Sequence, residues 1–414
     1  MMEAAQKTIF VYDDWSSDEP CLMGKLCVQR ARGEEVFSFE YEEKWLHERP
    51  RNILDPDLEL YSGKQYLLNG KTQFGIFMDS EPDRWGRTLL KRRENVLASK
   101  EGRKPNALSE VDFLLGVDDL TRVGAIRFKE TTDGPFLAPS NKLSVPPMKR
   151  LRELETASLK YEEGEGTGEE WLEILLAPGS SLGGARPKAN VLDIDGSLWI
   201  AKFPSKHDEY DAGAWELVVH ELAKMCGLNV PEARLRKFSD SGSTFLVKRF
   251  DRDGTRRIHF ASAMTMLGKQ DGESSEASYA DIADFLRVHG ARPKEDIREL
   301  WKRVVFSVLV KNTDDHLRNH GFLLRKDGWC LSPMYDVNPN PYGSHLSLGI
   351  LGDECCLSAD YLIAVSSRFL VAADEARLFV ETARGIISEN WVKLAKSNGV
   401  SDRSIEYMEN AFSE

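Results

Sequence analysis

The segment Asn312-Thr-Asp-Asp-His-Leu-Arg-Asn319 crowds carboxylate, amide and imidazole groups directly behind a strongly apolar stretch. A carboxylate can take or orient a hydroxyl proton, and an amide oxygen can ligate a hard cation. Asp314 and Asn319 stand in the D-x-x-x-x-N spacing of phosphoryl-transfer loops. There the Asp serves the attacking hydroxyl and the Asn binds a metal ion. On its own the spacing suits a structural polar turn equally well.

The residues beyond the loop strengthen the chemical reading. Gly321-Phe-Leu-Leu-Arg325 and Trp329-Cys-Leu-Ser332 flank Lys326-Asp327-Gly328, a hairpin signal. A hairpin returns its ends to adjacent strands about 5 Å apart, so Asp336 comes back beside Asn319. A carboxylate and an amide oxygen converging there suit Mg²⁺, which takes few protein ligands and completes its shell with phosphates and water. The blander role for Asp336 is to cap a turn before Pro339. A rival chemical reading makes Asp314, Asp315, His316 and His320 a zinc or manganese site. It needs a helix to bring His316 and His320 to one face, which Asn312, Asn319 and Gly321 discourage.

Upstream, Gly179-Ser-Ser-Leu-Gly-Gly-Ala-Arg-Pro-Lys188 is a small-residue loop whose backbone N–H groups can approach phosphate oxygens. It matches neither standard glycine fingerprint, so an ordinary flexible loop stays open. Lys202 lies on the second strand after that loop, where a phosphate-binding lysine stands, and Glu216 on the next helix is its candidate ion-pair partner. The alternatives are an edge-strand lysine and a helix N-terminal acid.

These groups need elements to hold them. Thr8–Tyr12 and Glu35–Tyr41 read as strands, and the region to about residue 75 is β-rich. Residues 82–98 read as an amphipathic helix marked by Trp85, Leu89, Leu90, Val96 and Leu97. Residues 155–170 read as an exposed connection. Asn190–Ile194 and Leu198–Phe203 form a hairpin through Asp195-Gly196-Ser197, residues 212–226 a helix, and Thr244–Lys248 another strand. Ile297, Leu300, Trp301, Val304 and Val308 mark a helix ending near Asn312, and residues 360–413 continue helical. The fold class expected is α+β, two-lobed and protein-kinase-like, with a β-rich N-terminal lobe and a mostly helical C-terminal lobe.

Composition bounds the function classes. Among 414 residues, 41% are hydrophobic and 29% charged, the balance of a globular protein. The net charge of −12 argues against a general nucleic-acid binder. Arg84, Arg87, Lys91, Arg92 and Arg93 form a local basic cluster that a solvated helix face explains as well. Six cysteines without CxxC spacing read as reduced thiols. Neither an apolar run of membrane length nor a secretory pattern is present, so a cytoplasmic location without membrane contact is expected.

Ser181-Leu-Gly-Gly-Ala-Arg-Pro-Lys188, Trp199-Ile-Ala-Lys-Phe-Pro204, Phe245-Leu-Val-Lys-Arg-Phe-Asp251, Asn312-x-Asp-x-His-x-x-Asn319 and Tyr335-Asp336, in this order, closely resemble the HipA family. These are serine/threonine kinases of bacterial toxin–antitoxin systems. Glu81-Pro-Asp-Arg-Trp-Gly-Arg87 and Val123-Gly-Ala-Ile-Arg127 extend the resemblance over most of the chain. It implies an N-terminal β-rich subdomain over 1–130, the nucleotide-binding part of the N-lobe over 131–255, and a helical C-lobe over 256–414. It implies ATP and Mg²⁺ as cofactors, Asp314 as catalytic base, and Asn319 and Asp336 as metal ligands. Lys202, with His316 nearby, would contact the phosphates, helped by Gly183 and Gly184. The Lys248–Phe250 backbone would meet adenine, with Phe250 on the ring. Ser181 would be the autophosphorylated serine. The implied partners are a protein substrate, of which an aminoacyl-tRNA synthetase is one, and a helix-turn-helix antitoxin through which alone DNA is touched. A non-catalytic nucleotide- or antitoxin-binding pseudokinase and a small-molecule kinase are the alternatives. Two departures mark a divergent branch: Phe260–Gly268 replaces a run with an acidic residue, Phe and Gln, and Asp336-Val-Asn338 stands where eukaryotic kinases have D-F-G.

Overall fold

The computed structural model describes residues 6–31, 34–48, 52–67, 70–137, 145–163, 175, 186–270, 272 and 276–413. The chain divides into two compact units, Met1–Ala201 with Asp251–Ala261, and Lys202–Phe250 with Ser262–Glu414.

In the first unit, alternating apolar residues build an antiparallel five-stranded sheet in the order β4-β3-β2-β1-β5. Its strands are β1 (Lys7–Asp13), β2 (Cys21–Ala31), β3 (Glu34–Tyr41), β4 (Gln65–Tyr66) and β5 (Ile126–Lys129). Ile9 pairs with Leu26 and Leu26 with Phe39, and all three are fully buried. Gly24 is required here, because a Cβ would lie 2.5 Å from the Phe39 ring and 2.4 Å from the Glu40 carbonyl. Asp13 ends β1 fully buried, and its carboxylate accepts from the backbone of Trp15 and Ser16 and from Trp45 Nε1.

The expected helix over 82–98 runs Arg84–Lys100, capped by Asp83, which accepts from Gly86 N at 2.6 Å. The Asp83 carboxylate also receives Lys188 Nζ at 3.0 Å, while Trp85 Nε1 donates to the Lys188 carbonyl at 3.0 Å. Lys188 opens β6 (Lys188–Leu192), whose hydrogen-bonded neighbour is β7 (Leu198–Lys202). Between them Asp193 N bonds the Ser197 carbonyl at 3.0 Å and Gly196 takes a φ of 81°, the expected turn. In the basic cluster, Arg87 is held by Glu81 and Glu110, so it is no exposed anion-binding group.

Part of one expectation is corrected. Residues 155–162 belong to the helix Leu151–Glu162, with Leu151, Leu154 and Ala157 buried. The apolar spacing outweighs the charged composition, because tertiary packing rather than propensity makes such a helix. Residues 164–170 lie outside the described set.

The second unit is mostly helical. The helix Ala212–Met225 packs on the hairpin of β8 (Ala233–Ser239) and β9 (Gly242–Lys248). Asp211 caps it, accepting from Ala214 N at 3.1 Å and from Ser243 N and Oγ at 2.9 and 2.7 Å. One core joins Trp215, Val218 and Leu222 of this helix to Phe306, Ile387 and Met408. These last come from the helices Pro293–Leu309, Ala373–Ser397 and Asp402–Phe412. The expected stripe Ile297, Leu300, Trp301, Val304 and Val308 is buried throughout. At about 1.5–3 kcal/mol per large apolar side chain, this burial supplies most of the helix's stability. All six cysteines are free thiols. No helix among the described residues is long and apolar enough to cross a membrane.

Candidate functional site

The helix Pro293–Leu309 delivers the polar loop. It stops where Lys311 enters the left-handed region at φ 48° and Asn312 N turns back to the Ser307 carbonyl at 2.8 Å. Asn312 is buried, donating through Nδ2 to Ser307 Oγ at 3.3 Å. Thr313, also buried, gives its carbonyl to Ser347 N and Oγ at 3.0 and 2.7 Å. Asp314 then projects into solvent between the buried Thr313 and Asp315. An exposed carboxylate on so tightly held a backbone suits a group that must meet a substrate hydroxyl.

Asp315 faces inward. Its Oδ2 accepts from the Tyr279 hydroxyl at 2.6 Å, and His320 Nε2 lies 3.0 Å from its Oδ1. Burial would raise the Asp315 pKa, but His320 and the Tyr279 hydroxyl outweigh it and keep the carboxyl below its usual range. The rival transition-metal reading is thereby overturned. Asp315 and His320 are spent on each other, and no cluster of three or more His, Cys, Asp or Glu suited to a metal occurs among the described residues. His316 is half-buried, and its Nδ1 has no hydrogen-bond partner. Asn319 closes a short 3₁₀ turn, N–H to the His316 carbonyl at 2.8 Å, with Nδ2 donating to the Asp314 carbonyl at 3.1 Å. Its amide oxygen is the atom left to accept.

The expected hairpin is present, Phe322 pairing with Leu331 and Arg325 with Gly328 around the turn Lys326–Asp327. Beyond it the chain is bonded back to the loop repeatedly. Tyr335 Oη donates to the Arg318 carbonyl at 2.7 Å, and Asn338 N to Asn312 Oδ1 at 3.1 Å. Asn340 completes the set, with N to the Lys311 carbonyl at 3.1 Å and Nδ2 to Thr313 Oγ1 at 2.8 Å. Asp336 sits inside this stitched stretch at φ 57°, a conformation a non-glycine residue holds only when its surroundings impose it.

Lys202 Nζ donates to Glu216 Oε1 and to Asp336 Oδ1, each at 2.6 Å. The lysine and glutamate side chains are 12% and 8% exposed, that of Asp336 38%. Burial alone would lower the Lys202 pKa, but Asp336 and Glu216 more than offset it and hold it raised, so the ammonium stays charged. Lys202, Glu216 and Asp336 therefore form one ionic cluster. Lys248 N is bonded to the Glu232 carbonyl at 2.8 Å, and the Phe250 ring lies 5.5 Å from that of Tyr335. Ser181, Gly183 and Gly184 lie outside the described residues.

Chemically, the second unit holds an exposed carboxylate, an amide oxygen and a second carboxylate beside a buried ammonium. Carboxylate and amide oxygens are the atom types that hard cations take as ligands. Asp336 already attracts a cation, the Lys202 ammonium. Sequence reasoning places Asn312 and Thr313 in the polar loop without their holding role, and it misses Asn340 and Tyr279, which likewise act by holding others. Their only sequence signal is a cluster of side-chain amides and hydroxyls close to the chemistry-bearing segments.

Comparison with known proteins identifies the family and the fold. The family model of the HipA-like C-terminal domain matches residues 180–397, more than half of the chain, and the chain belongs to that family. A putative kinase of Haemophilus influenzae is 29% identical over 186 residues, 40% of this chain and 54% of that protein. Putative kinase Y4mE of Sinorhizobium fredii is 31% identical over 182 residues, 38% of this chain and 41% of its own length. The chain thus spans about half the length of the curated relatives it matches. HipA of Shewanella oneidensis MR-1, solved with HipB and its operator DNA, superposes with a TM-score of 0.68 at 17% identity, over 98% of this chain and 96% of that one. At that identity the likeness is one of fold, and the fold is the α+β HipA fold expected from the sequence.

Proposed function

We propose that this chain is an ATP- and Mg²⁺-dependent serine/threonine protein kinase of the HipA type. The observation that carries the reading is the Lys202 ammonium held between Glu216 and Asp336, in the same unit as the exposed Asp314 and the Asn319 amide. In the proposed reaction a substrate Ser or Thr oxygen attacks the γ-phosphorus, the bond to the β-phosphate oxygen breaks, and ADP leaves. Asp314 takes the hydroxyl proton. Glu216 keeps Lys202 extended toward the α- and β-phosphate oxygens. Asn319 and Asp336 would hold Mg²⁺, which when bound neutralises phosphate charge. Phe250 would pack on adenine, with the backbone from Lys248 beside it, and His316 near the phosphates.

The proposed acceptors are Ser181 in cis, in the loop with Gly183 and Gly184, and a protein in trans, of which an aminoacyl-tRNA synthetase is the family's precedent. The Shewanella HipA was solved with HipB and operator DNA, and its fold likeness supports a helix-turn-helix antitoxin as partner. The net charge of −12 supports DNA contact only through that antitoxin. The proposed location is the cytoplasm.

Incubating the full chain with γ-labelled ATP and Mg²⁺, then mapping the label by mass spectrometry, tests this. We expect label on Ser181 and a loss of about 10²–10⁴-fold in Asp314→Asn. An unlabelled wild type, or equal labelling of the variant, overturns the proposal.

A further inference from the structure

The loop proposed to carry catalysis is pinned from behind at both ends. Asp315 adjoins Asp314, and His320 adjoins Asn319. The two inner residues meet, His320 Nε2 lying 3.0 Å from Asp315 Oδ1. The Tyr279 hydroxyl donates to the other oxygen of the same carboxylate at 2.6 Å, and its ring meets the His320 ring edge-on with centroids 5.3 Å apart. Tyr279, Asp315 and His320 are 0%, 3% and 4% exposed.

Tyr279 is itself fixed. It is the first residue of the helix Tyr279–His289, behind a capping box in which Ser278 and Asp281 satisfy each other's backbone. Its own N–H donates to the Gly349 carbonyl at 2.8 Å. The carbonyl of His320 accepts from Ala263 N at 2.8 Å. Each arm of the clamp thus ends on backbone that a separate element holds in place. The intervening residues, His316 to Asn319, close a short turn that leans on the Asp314 carbonyl through Asn319 Nδ2.

We propose that Tyr279, Asp315 and His320 are positioning residues that set the separation and orientation of Asp314 and Asn319, the base and the amide ligand. The inference rests on the kinase reading of those two groups. None of the three touches substrate. They act through the backbone, because a residue whose side chain is locked inward fixes where its neighbour's side chain points outward. Misplacing a reacting group by about 1 Å lowers turnover about 10²-fold without any contact to the substrate being lost.

The test uses the full chain and three variants, Tyr279→Phe, His320→Leu and His320→Gln. Gln keeps an N–H donor near the position of the ring Nε2, whereas Leu does not. Turnover of labelled ATP is measured beside ATP affinity by calorimetry, the unfolding midpoint, and amide hydrogen exchange over 315–319. We expect kcat to fall about 10- to 100-fold in Tyr279→Phe and His320→Leu. ATP affinity should stay within about twofold, exchange over 315–319 should quicken, and His320→Gln should recover most of kcat. A residue that served only stability would shift the unfolding midpoint while leaving kcat of the folded fraction unchanged, and that outcome overturns the clamp. So does loss of kcat and ATP affinity together in all three variants. If wild type and Asp314→Asn are equally silent, the kinase reading itself fails and takes the inference with it. An active wild type with fully active clamp variants removes the inference alone.

Discussion

Asn312 Oδ1 accepts the backbone N–H of Asn338 at 3.1 Å, so a buried side chain at the start of the polar loop holds the stretch that carries Asp336. Hairpin strands could in principle deliver Asp336 over a range of positions. This bond, with those from Asn340 to Lys311 and Thr313, reduces the range. Gly343 shows how close the approach is, since a Cβ there would lie 2.4 Å from Thr313 Cγ2.

Replacing Asn312 by Ala strands the Asn338 N–H. Asn338 is only partly buried, so losing this bond costs about 0.5–1.5 kcal/mol, and a comparable loss of unfolding free energy is expected by denaturant titration. The effect on phosphate transfer should exceed the effect on folding, with kcat down about 10²-fold, because Asp336 loses its tether. A variant with lowered stability and wild-type kcat would show that the tether serves the fold alone.

Gly213 offers a prediction of opposite sign to helix propensity. Glycine to alanine in a helix normally stabilises by about 1 kcal/mol. Here a Cβ would lie 2.2 Å from the Ser243 carbonyl, where the helix Ala212–Met225 crosses β9. The helix must lift off the sheet or the strand must yield, so Gly213→Ala should destabilise by about 1–3 kcal/mol, read as a lowered unfolding midpoint. Glu216 lies one turn along that helix, so its bond to Lys202 at 2.6 Å should lengthen and ATP affinity should fall as well.

Much of this arrangement is legible in the sequence, for identifiable reasons. Lys202 can be placed because β7 and its turn are short and strongly patterned, and Glu216 because an apolar stripe with Trp215, Val218 and Leu222 fixes the helix that carries it. Asn312 is different. An asparagine behind an apolar helix reads as a stop signal, and its partner lies 26 residues away, across a hairpin whose return path sequence spacing does not specify. Asp315 and His320 illustrate a second limit. Their types suit a metal as well as each other, and only their contact and shared burial with Tyr279 decide between the two. In the helix Leu151–Glu162 the obstacle is composition, since Glu and Lys between Leu151, Leu154 and Ala157 hide the spacing that buries them.

His259, in the first unit, gives a pH dependence with a definite sign. It is 1% exposed and stacks on Trp15 with ring centroids 4.4 Å apart and planes 17° from parallel. Burial lowers its pKa from 6.5 to about 3, so the folded ring stays neutral where the unfolded one takes a proton. Between those values the unfolded state binds more protons, so this group's contribution to stability rises with pH and is withdrawn on acidification below 6.5. Glu81 acts in the opposite sense, because burial raises its pKa from 4.5 to about 8 and its carboxyl is protonated on folding between them. The wild type alone therefore mixes the two, and the informative quantity is a difference. His259→Phe keeps an aromatic partner for Trp15 and removes the titration. Relative to that variant, the wild type should lose about 2 kcal/mol of unfolding free energy from pH 7 to pH 5. Denaturant titrations of both proteins at the two pH values measure it, and a difference that does not change with pH would mean that His259 is protonated in the folded chain.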